Sequence, residues 1–205
     1  GSLGSSVIKL FDLTAASTGL TEKAAQTAGI SYDRIVLSPS SHAGYYPGAK
    51  TMTMKVVYEK ETLKLLGAQI VGYDGVDKRI DVLATAICAG MKANELKDLD
   101  LAYAPPYSSA KDPVNMAGFM IENIANGLVK QFHWDEVADL PRDGSVTLLD
   151  TRTANEYAHG HADGFINIPV DELRERLSEI DRTKPLYVMC QSGLRSYISC
   201  RILSQ

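Results

Sequence analysis

Three cysteines in 205 residues, Cys88, Cys190 and Cys200, leave little for a disulfide scaffold: the count is odd and no C-x-x-C pair occurs. A reducing cytoplasm is the expected compartment. The four histidines, His42, His133, His159 and His161, form no zinc-ligand spacing with those cysteines, so no metal site is expected. Apolar stretches are broken by charge or glycine within a dozen residues, which excludes a membrane span, and no charged-then-apolar leader opens the chain. Positive charge is scarce as well. Lys and Arg number 21 against 25 Asp and Glu, a net charge of -4, and this argues against nucleic acid as the main partner. No Gly-x-Gly-x-x-Gly follows a strand pattern, so the sequence offers no dinucleotide phosphate cradle. Internal repeats and low-complexity segments are absent too.

What remains is ordinary for a globular protein: 45% hydrophobic and 22% charged residues, in a length that suits two small domains or one large one. Residues 1–6 (G-S-L-G-S-S) read as a cloning scar or the tail of a preceding domain, and the chain stops at Gln205 inside a helical pattern. A fragment is therefore expected. Residues 7–12 and 33–37 read as strands. Residues 51–58 place Met52, Met54, Val56 and Tyr58 on one face, the period of a half-buried strand; residues 59–62 turn and 63–73 return as its partner. A helix over 21–28 opens with a Thr cap and closes at Gly29. A second, over 78–89 and capped by Asp77, carries an apolar stripe of Ile80, Leu83, Ala84, Ile87 and Cys88 and ends at Gly90. Asp112-Pro113 opens a third, running through Met116, Met120 and Ile124 to Asn126. Antiparallel strands packed by helices on one face make an α+β domain over residues 1–126.

The pattern then changes, with a boundary near 127–131. Strands over 146–150 and 186–189 alternate with helical stretches over 153–157, 173–180 and 196–203, which predicts a parallel α/β domain over 127–205, incomplete at its C-terminus. The strand Leu186-Tyr187-Val188-Met189 delivers Cys190 to its carboxyl end, where open α/β sheets place ligands. Gln191, Ser192, Gly193 and Leu194 let the backbone curl before a helix starts near Arg195. Such a turn aims N–H groups inward at a positive helix end, which lowers a thiol pKa and makes Cys190 a candidate nucleophile. Arg195 adds a permanent positive charge. The competing structural assignment for Cys190 is a buried core thiol.

This loop resembles that of the rhodanese family, and the resemblance extends over Leu148-Leu149-Asp150-Thr151-Arg152, Glu156-Tyr157 and Gly160-His161-Ala162-Asp163-Gly164-Phe165-Ile166-Asn167-Ile168-Pro169. It implies a sulfane sulfur carried as a persulfide on Cys190, with the amides of Gln191 to Arg195 binding the transferred sulfur. Related phosphatases have one more residue between Cys and Arg, so a loop this short suits sulfur rather than phosphate. Asp150 and Arg152 are expected to form an ion pair or cap that holds the underside of the loop, or else a strand-end salt bridge of little energy. His159 and His161 are assigned structural roles, and Cys200 packing on its helix.

In the first half, His42-Ala43-Gly44-Tyr45-Tyr46-Pro47-Gly48, Ala102-Tyr103-Ala104-Pro105-Pro106-Tyr107-Ser108, Phe11-Asp12-Leu13-Thr14 and Gly67-Ala68-Gln69-Ile70-Val71-Gly72 resemble the C-terminal dimerisation domain of pyridine nucleotide-disulfide oxidoreductases, in the coenzyme A-disulfide reductase branch. The resemblance covers residues 5–126. It implies a homodimer in which Tyr103, and Tyr45 or Tyr46, lie beside the substrate sulfur, where a phenol can act as a general acid. It also implies FAD, NAD(P)H and coenzyme A, as a disulfide or persulfide, for a longer parent enzyme. The binding motifs for the first two, and the reducing cysteine, are missing from these residues. The alternative is a non-catalytic dimerisation and rhodanese-like binding module.

Overall fold

The computed structural model describes residues 2–205, and the chain divides into two compact units, Gly1–Ala125 and Asn126–Gln205. The first is built on a five-stranded antiparallel sheet in the order β1-β2-β5-β4-β3. Its strands are β1 (Ser6–Leu10), β2 (Leu13–Gly19), β3 (Tyr32–Leu37), β4 (Met52–Glu59) and β5 (Leu65–Gly72). Strand β2 departs from the expectation of a single strand over 7–12. The chain reverses at Phe11-Asp12, pairing Leu10 with Leu13. The segment Leu-Thr-Ala-Ala-Ser-Thr-Gly has little intrinsic strand preference; it is a strand because it is sandwiched between β1 and β5 in the ladder.

The alternation in β4 is seen directly. Met52, Met54, Val56 and Tyr58 are buried, and they join Ile35, Leu65, Ala68 and Ile70 in one core under the helices. Helix α1 (Glu22–Thr27) is capped by Thr21, whose Oγ1 accepts the Ala24 N–H. Helix α2 spans Val76–Cys88, two residues earlier than expected. Its N-cap is Gly75 in the left-handed region at φ 68, so Asp77 lies in the first turn and is not the cap. The buried stripe is Val76, Arg79, Ile80, Leu83 and Ala86; Cys88 is exposed, because α2 meets the sheet one residue round from the expected face.

Helix α3 (Pro113–Ala125) buries Val114, Ala117, Gly118 and Ile121, while Met116 faces out. It packs on a 3-10 turn at Ala93–Asp98 so closely that a Cβ added at Gly118 would collide with the Lys97 amide nitrogen. The first turn of α3 also explains Asp112. Its carboxylate accepts the Val114 N–H and, in the interior, pairs with Arg79.

The second unit has a parallel three-stranded sheet, β7-β6-β8, from β6 (Thr147–Asp150), β7 (Ile166–Asn167) and β8 (Leu186–Met189). Helix α4 (Ala154–Ala158) follows β6, and helix α5 (Leu194–Leu203) follows the loop after β8. Leu149, Ile168, Leu173, Ile180, Val188 and Ile202 form its main core. The helix expected over 173–180 is not formed. The chain there makes tight turns, with Leu173 N–H donating to Val170 O, Glu179 N–H to Arg176 O and Ile180 N–H to Leu177 O. Only Leu177–Glu179 is regular, as a 3-10 turn. Eight residues are too few to stand as an α-helix unaided, so burial of Leu173 and Ile180 sets the path.

The Arg79–Asp112 pair yields a stability test. Their side chains are 2% and 3% exposed, so removing the cation strands a buried carboxylate. Arg79→Met is expected to destabilise the first unit by roughly 3 kcal/mol or more, read as a lowered midpoint in urea unfolding.

Candidate functional site

Two loops of the first unit carry the candidate tyrosines. Tyr45 and Tyr103 meet at their hydroxyls, 3.0 Å apart, and the bond to Tyr45 raises the Tyr103 phenol above its ordinary value. Tyr46 is not part of this pair. It stands edge-on to buried His42, ring centres 5.7 Å apart. The reason is local: Tyr46 N–H donates to Ala43 O, closing a turn that sends consecutive side chains in different directions.

Arg79, which lies outside the apolar stripe expected of α2, fixes both loops. Its guanidinium donates to Ser41 O at 2.9 Å in the first loop and to Tyr107 O at 3.3 Å in the second, as well as to Asp112 Oδ2 at 2.9 Å. Burial alone would raise the Asp112 carboxyl, but bonds from Arg79, Ser108 and the Val114 amide bring it below its usual value. Ala43 N–H donates directly to Ser108 O, joining loop to loop. Beside Tyr103 and Tyr107 lies a cleft of about 370 Å³, walled by Asp74, Gly75, Lys78 and Arg79.

The second unit places Cys190 immediately after β8, half-buried, with its sulfur turned toward the loop that follows. Gly193, in the left-handed region at φ 100, is the N-cap of α5, and its N–H donates to Cys190 Sγ at 3.1 Å. Thr151 holds the strand end below: its N–H and Oγ1–H both donate to Met189 O, at 2.9 and 3.0 Å. The Cys190 thiol lies 3.5 Å from Ser196 Oγ, and that hydroxyl donates to Gly193 O. Burial pushes the thiol up, yet the Ser196 hydroxyl and the amides of Ser196, Ser192 and Gly193 outweigh it, and the net direction is down. Gln191, Ser192 and Leu194 are exposed around the sulfur. Cys200 is partly buried in the core beneath, where burial raises its thiol.

Arg195 lies beside Cys190, with a side-chain hydrogen bond and a charge interaction between them. Its charge is not free, because Nη1 and Nη2 donate to Glu156 Oε2 and Oε1 at 2.6 and 2.7 Å. Glu156 also accepts the Thr153 N–H as the third residue of a capping box at the start of α4. Together these donors, Arg195 foremost, hold its carboxyl far below the usual range. The T-x-x-E cap from Thr153 to Glu156 is legible in the sequence; the second bond of Glu156, to Arg195, is not. Asp150 and Arg152 do pair, at 2.6 Å, with Asp150 fully buried. Arg152 also reaches Gly160 O, so the pair anchors the turn after α4. His161 stacks on Tyr157, ring centres 3.8 Å apart, and His159 bonds to Asn155 O.

A cleft of about 390 Å³ beside the loop is lined by Arg152, Asn155, Glu156, His159, Gly160 and Gln191. The two strand-to-helix turns here do not suit a dinucleotide. The Thr153 and Glu156 amides at the head of α4 serve its capping box, and the Gly193 amide at the head of α5 serves the sulfur, so these N–H groups are not open to a pyrophosphate. Among the described residues, no three His, Cys, Asp or Glu side chains are grouped to hold a metal, and no helix is long and apolar enough to cross a membrane.

Alkylation by iodoacetamide, followed on the peptide bearing Cys190, is expected to rise with pH about a midpoint below the ~8.5 of an ordinary thiol. The Ser196 hydroxyl, bonded to Gly193 O beside the neutral thiol, can turn to the sulfur once it ionises, so Ser196→Ala is expected to move that midpoint upward.

Comparison with known proteins agrees with this division. Residues 5–114 match the pyridine nucleotide-disulphide oxidoreductase dimerisation domain, and residues 133–205 match the rhodanese-like domain. A coenzyme A disulfide reductase of Staphylococcus epidermidis is 41% identical over 119 residues, 58% of this chain and 27% of that protein. A reduced Bacillus anthracis protein titled CoADR-RHD superposes with a TM-score of 0.95 at 48% identity, covering 100% of this chain and 36% of that one. A NAD-dependent persulfide reductase from A. fulgidus gives 0.89 at 42% identity, with the same coverage. The chain thus spans about a quarter to a third of the length of these relatives. It belongs to the pyridine nucleotide-disulphide oxidoreductases through its dimerisation domain, joined in sequence to a rhodanese-like domain.

Proposed function

We propose that the chain is the C-terminal part of a flavin- and NAD(P)H-dependent reductase of coenzyme A disulfide or persulfide, and that Cys190 carries sulfane sulfur for it. The observation that carries the reading is the sulfur of Cys190 at the end of a parallel strand, hydrogen-bonded by the Gly193 amide at the head of α5. A thiol in that position ionises readily and is a competent nucleophile. Cys190 as thiolate attacks the outer sulfur of a thiol persulfide, the S–S bond breaks, and the parent thiol leaves with the electron pair and takes up a proton. Cys190 is left as a persulfide, and the step needs no oxidant. The names of the relatives support coenzyme A as the thiol, and a sulfur carrier fused to a disulfide reductase has an evident task only if persulfides are handled.

In the first unit, Tyr103 with its partner Tyr45 is suited to donate a proton to a departing thiolate. Tyr46, packed on His42, contributes to the wall of the loop. A homodimer would set this pair beside the flavin and reducing cysteine of the neighbouring subunit; FAD and NAD(P)H would be bound by segments other than these residues. A cytoplasmic setting suits a free thiolate. The organised thiol supports sulfur transfer over a binding-only module.

The test is to incubate the chain with coenzyme A persulfide and weigh the Cys190 peptide without reduction. The expected result is the mass of one added sulfur atom, lost in Cys190→Ser. Sulfur appearing instead on Cys88 or Cys200, with Cys190 unmodified, would overturn the reading. In the complete enzyme, Tyr103→Phe is expected to lower kcat for disulfide or persulfide reduction about tenfold or more, with circular dichroism unchanged.

A further inference from the structure

The charges around Cys190 come in balanced pairs. Arg195 is bound at two points by Glu156, and Arg152 by Asp150. Both carboxylates are therefore consumed by the two cations that approach the cysteine loop. His159, the C-cap of α4, lines the adjoining cleft, and Cys200 of α5 lies beneath the loop with its pKa raised by burial. What remains to meet an incoming sulfur donor is the dipole of α5, the amides of the loop and Arg195 itself, whose charge also acts on Cys190 but is matched there by Glu156.

We infer that Glu156 is a positioning residue that sets the charge of this site: by holding Arg195 it keeps the site near neutral, and so suits it to the singly charged or uncharged sulfane end of a thiol persulfide, not to dianionic thiosulfate. The inference rests on the sulfur-transfer reading above and names its donor class. The chemistry follows from charge. Attack by a thiolate on thiosulfate brings a monoanion onto a dianion and expels dianionic sulfite, which demands a free cation at the loop. Attack on R–S–SH breaks the same kind of S–S bond while expelling a thiolate of one charge, which amides and a helix terminus can stabilise. The Arg195–Glu156 side chains are 29% and 34% exposed, so solvent weakens the pair but does not abolish its field at the sulfur.

The experiment compares Glu156→Gln with Glu156→Asp in the same chain. Gln keeps the capping bond with Thr153, since Gln serves that position as Glu does, so α4 is retained. It removes the negative charge and leaves Arg195 uncompensated. The alkylation midpoint of Cys190 is expected to fall by roughly half to one unit, and the KM for thiosulfate in cyanide-dependent thiocyanate formation to fall roughly three- to tenfold. The KM for coenzyme A persulfide should change less than about twofold, by the same charge argument. Glu156→Asp, which keeps the charge, should restore the midpoint toward that of the unsubstituted chain. Equal shifts in the two variants, or an unchanged or raised midpoint in Glu156→Gln, would show that Glu156 acts through structure alone and overturn the inference. A lowered midpoint with an unchanged thiosulfate KM would overturn the donor preference. Failure of either donor to load sulfur on Cys190 of the unsubstituted chain removes the transfer reading and the donor preference with it, whereas the alkylation midpoint, which needs no turnover, still decides what Glu156 does to the thiol.

Discussion

An anionic sulfur at the end of a buried strand is tolerable only where donors surround it, and the second unit is organised around that requirement. β8 ends at Met189, whose carbonyl is gripped by Thr151, so Cys190 emerges at a fixed height above the sheet. Gly193 then takes a conformation that side chains avoid, turning its N–H back to the sulfur as α5 begins. The parallel order β7-β6-β8 matters for the same reason: it brings the carboxyl ends of β6 and β8 together, and with them the Asp150–Arg152 and Glu156–Arg195 pairs.

The first unit obeys a different constraint. Its tyrosine pair sits on loops with little regular structure, and loops hold side chains in place only when their backbone polar groups are satisfied. Arg79 meets that need from the interior, donating to carbonyls of both loops, while Asp112 neutralises it and caps α3. A guanidinium serves here because its donors fan out in one plane; an ammonium would reach fewer partners. The tyrosine hydroxyls at 3.0 Å are thus a consequence of a buried ion pair in the same unit.

The two units share a chemical theme. On the function proposed above, each would handle a thiolate: the phenol pair by protonating one as it leaves, and the amide-lined turn by keeping one charged. In a reductase of disulfides or persulfides both tasks recur, because every S–S cleavage releases a thiolate. The balanced charges at the cysteine loop extend this theme. Through its pair with Glu156, Arg195 also ties α4 to α5.

Much of this was legible in the residues. Alternation in Met52, Met54, Val56 and Tyr58 marks a half-buried strand because side chains on a strand can do nothing but alternate, and the Cys190–Arg195 spacing marks a strand-loop-helix turn because Gly193 sits where backbone must reverse hand. Local signals of that kind are written in neighbouring residues. Strand β2 was not legible, since its Ala- and Thr-rich segment becomes a strand only between β1 and β5, nor was the 173–180 segment, whose path is set by burial of Leu173 and Ile180. The partners of Arg79 and Arg195 were hidden for the same reason: each bonds to residues 28 to 39 positions away in the chain. The sequence by itself determined which residues were chemically able to act. Only the tertiary structure decided which of them meet, and so which of the charges near Cys190 remain free, because electrostatic pairing depends on distances of a few ångströms that folding alone creates.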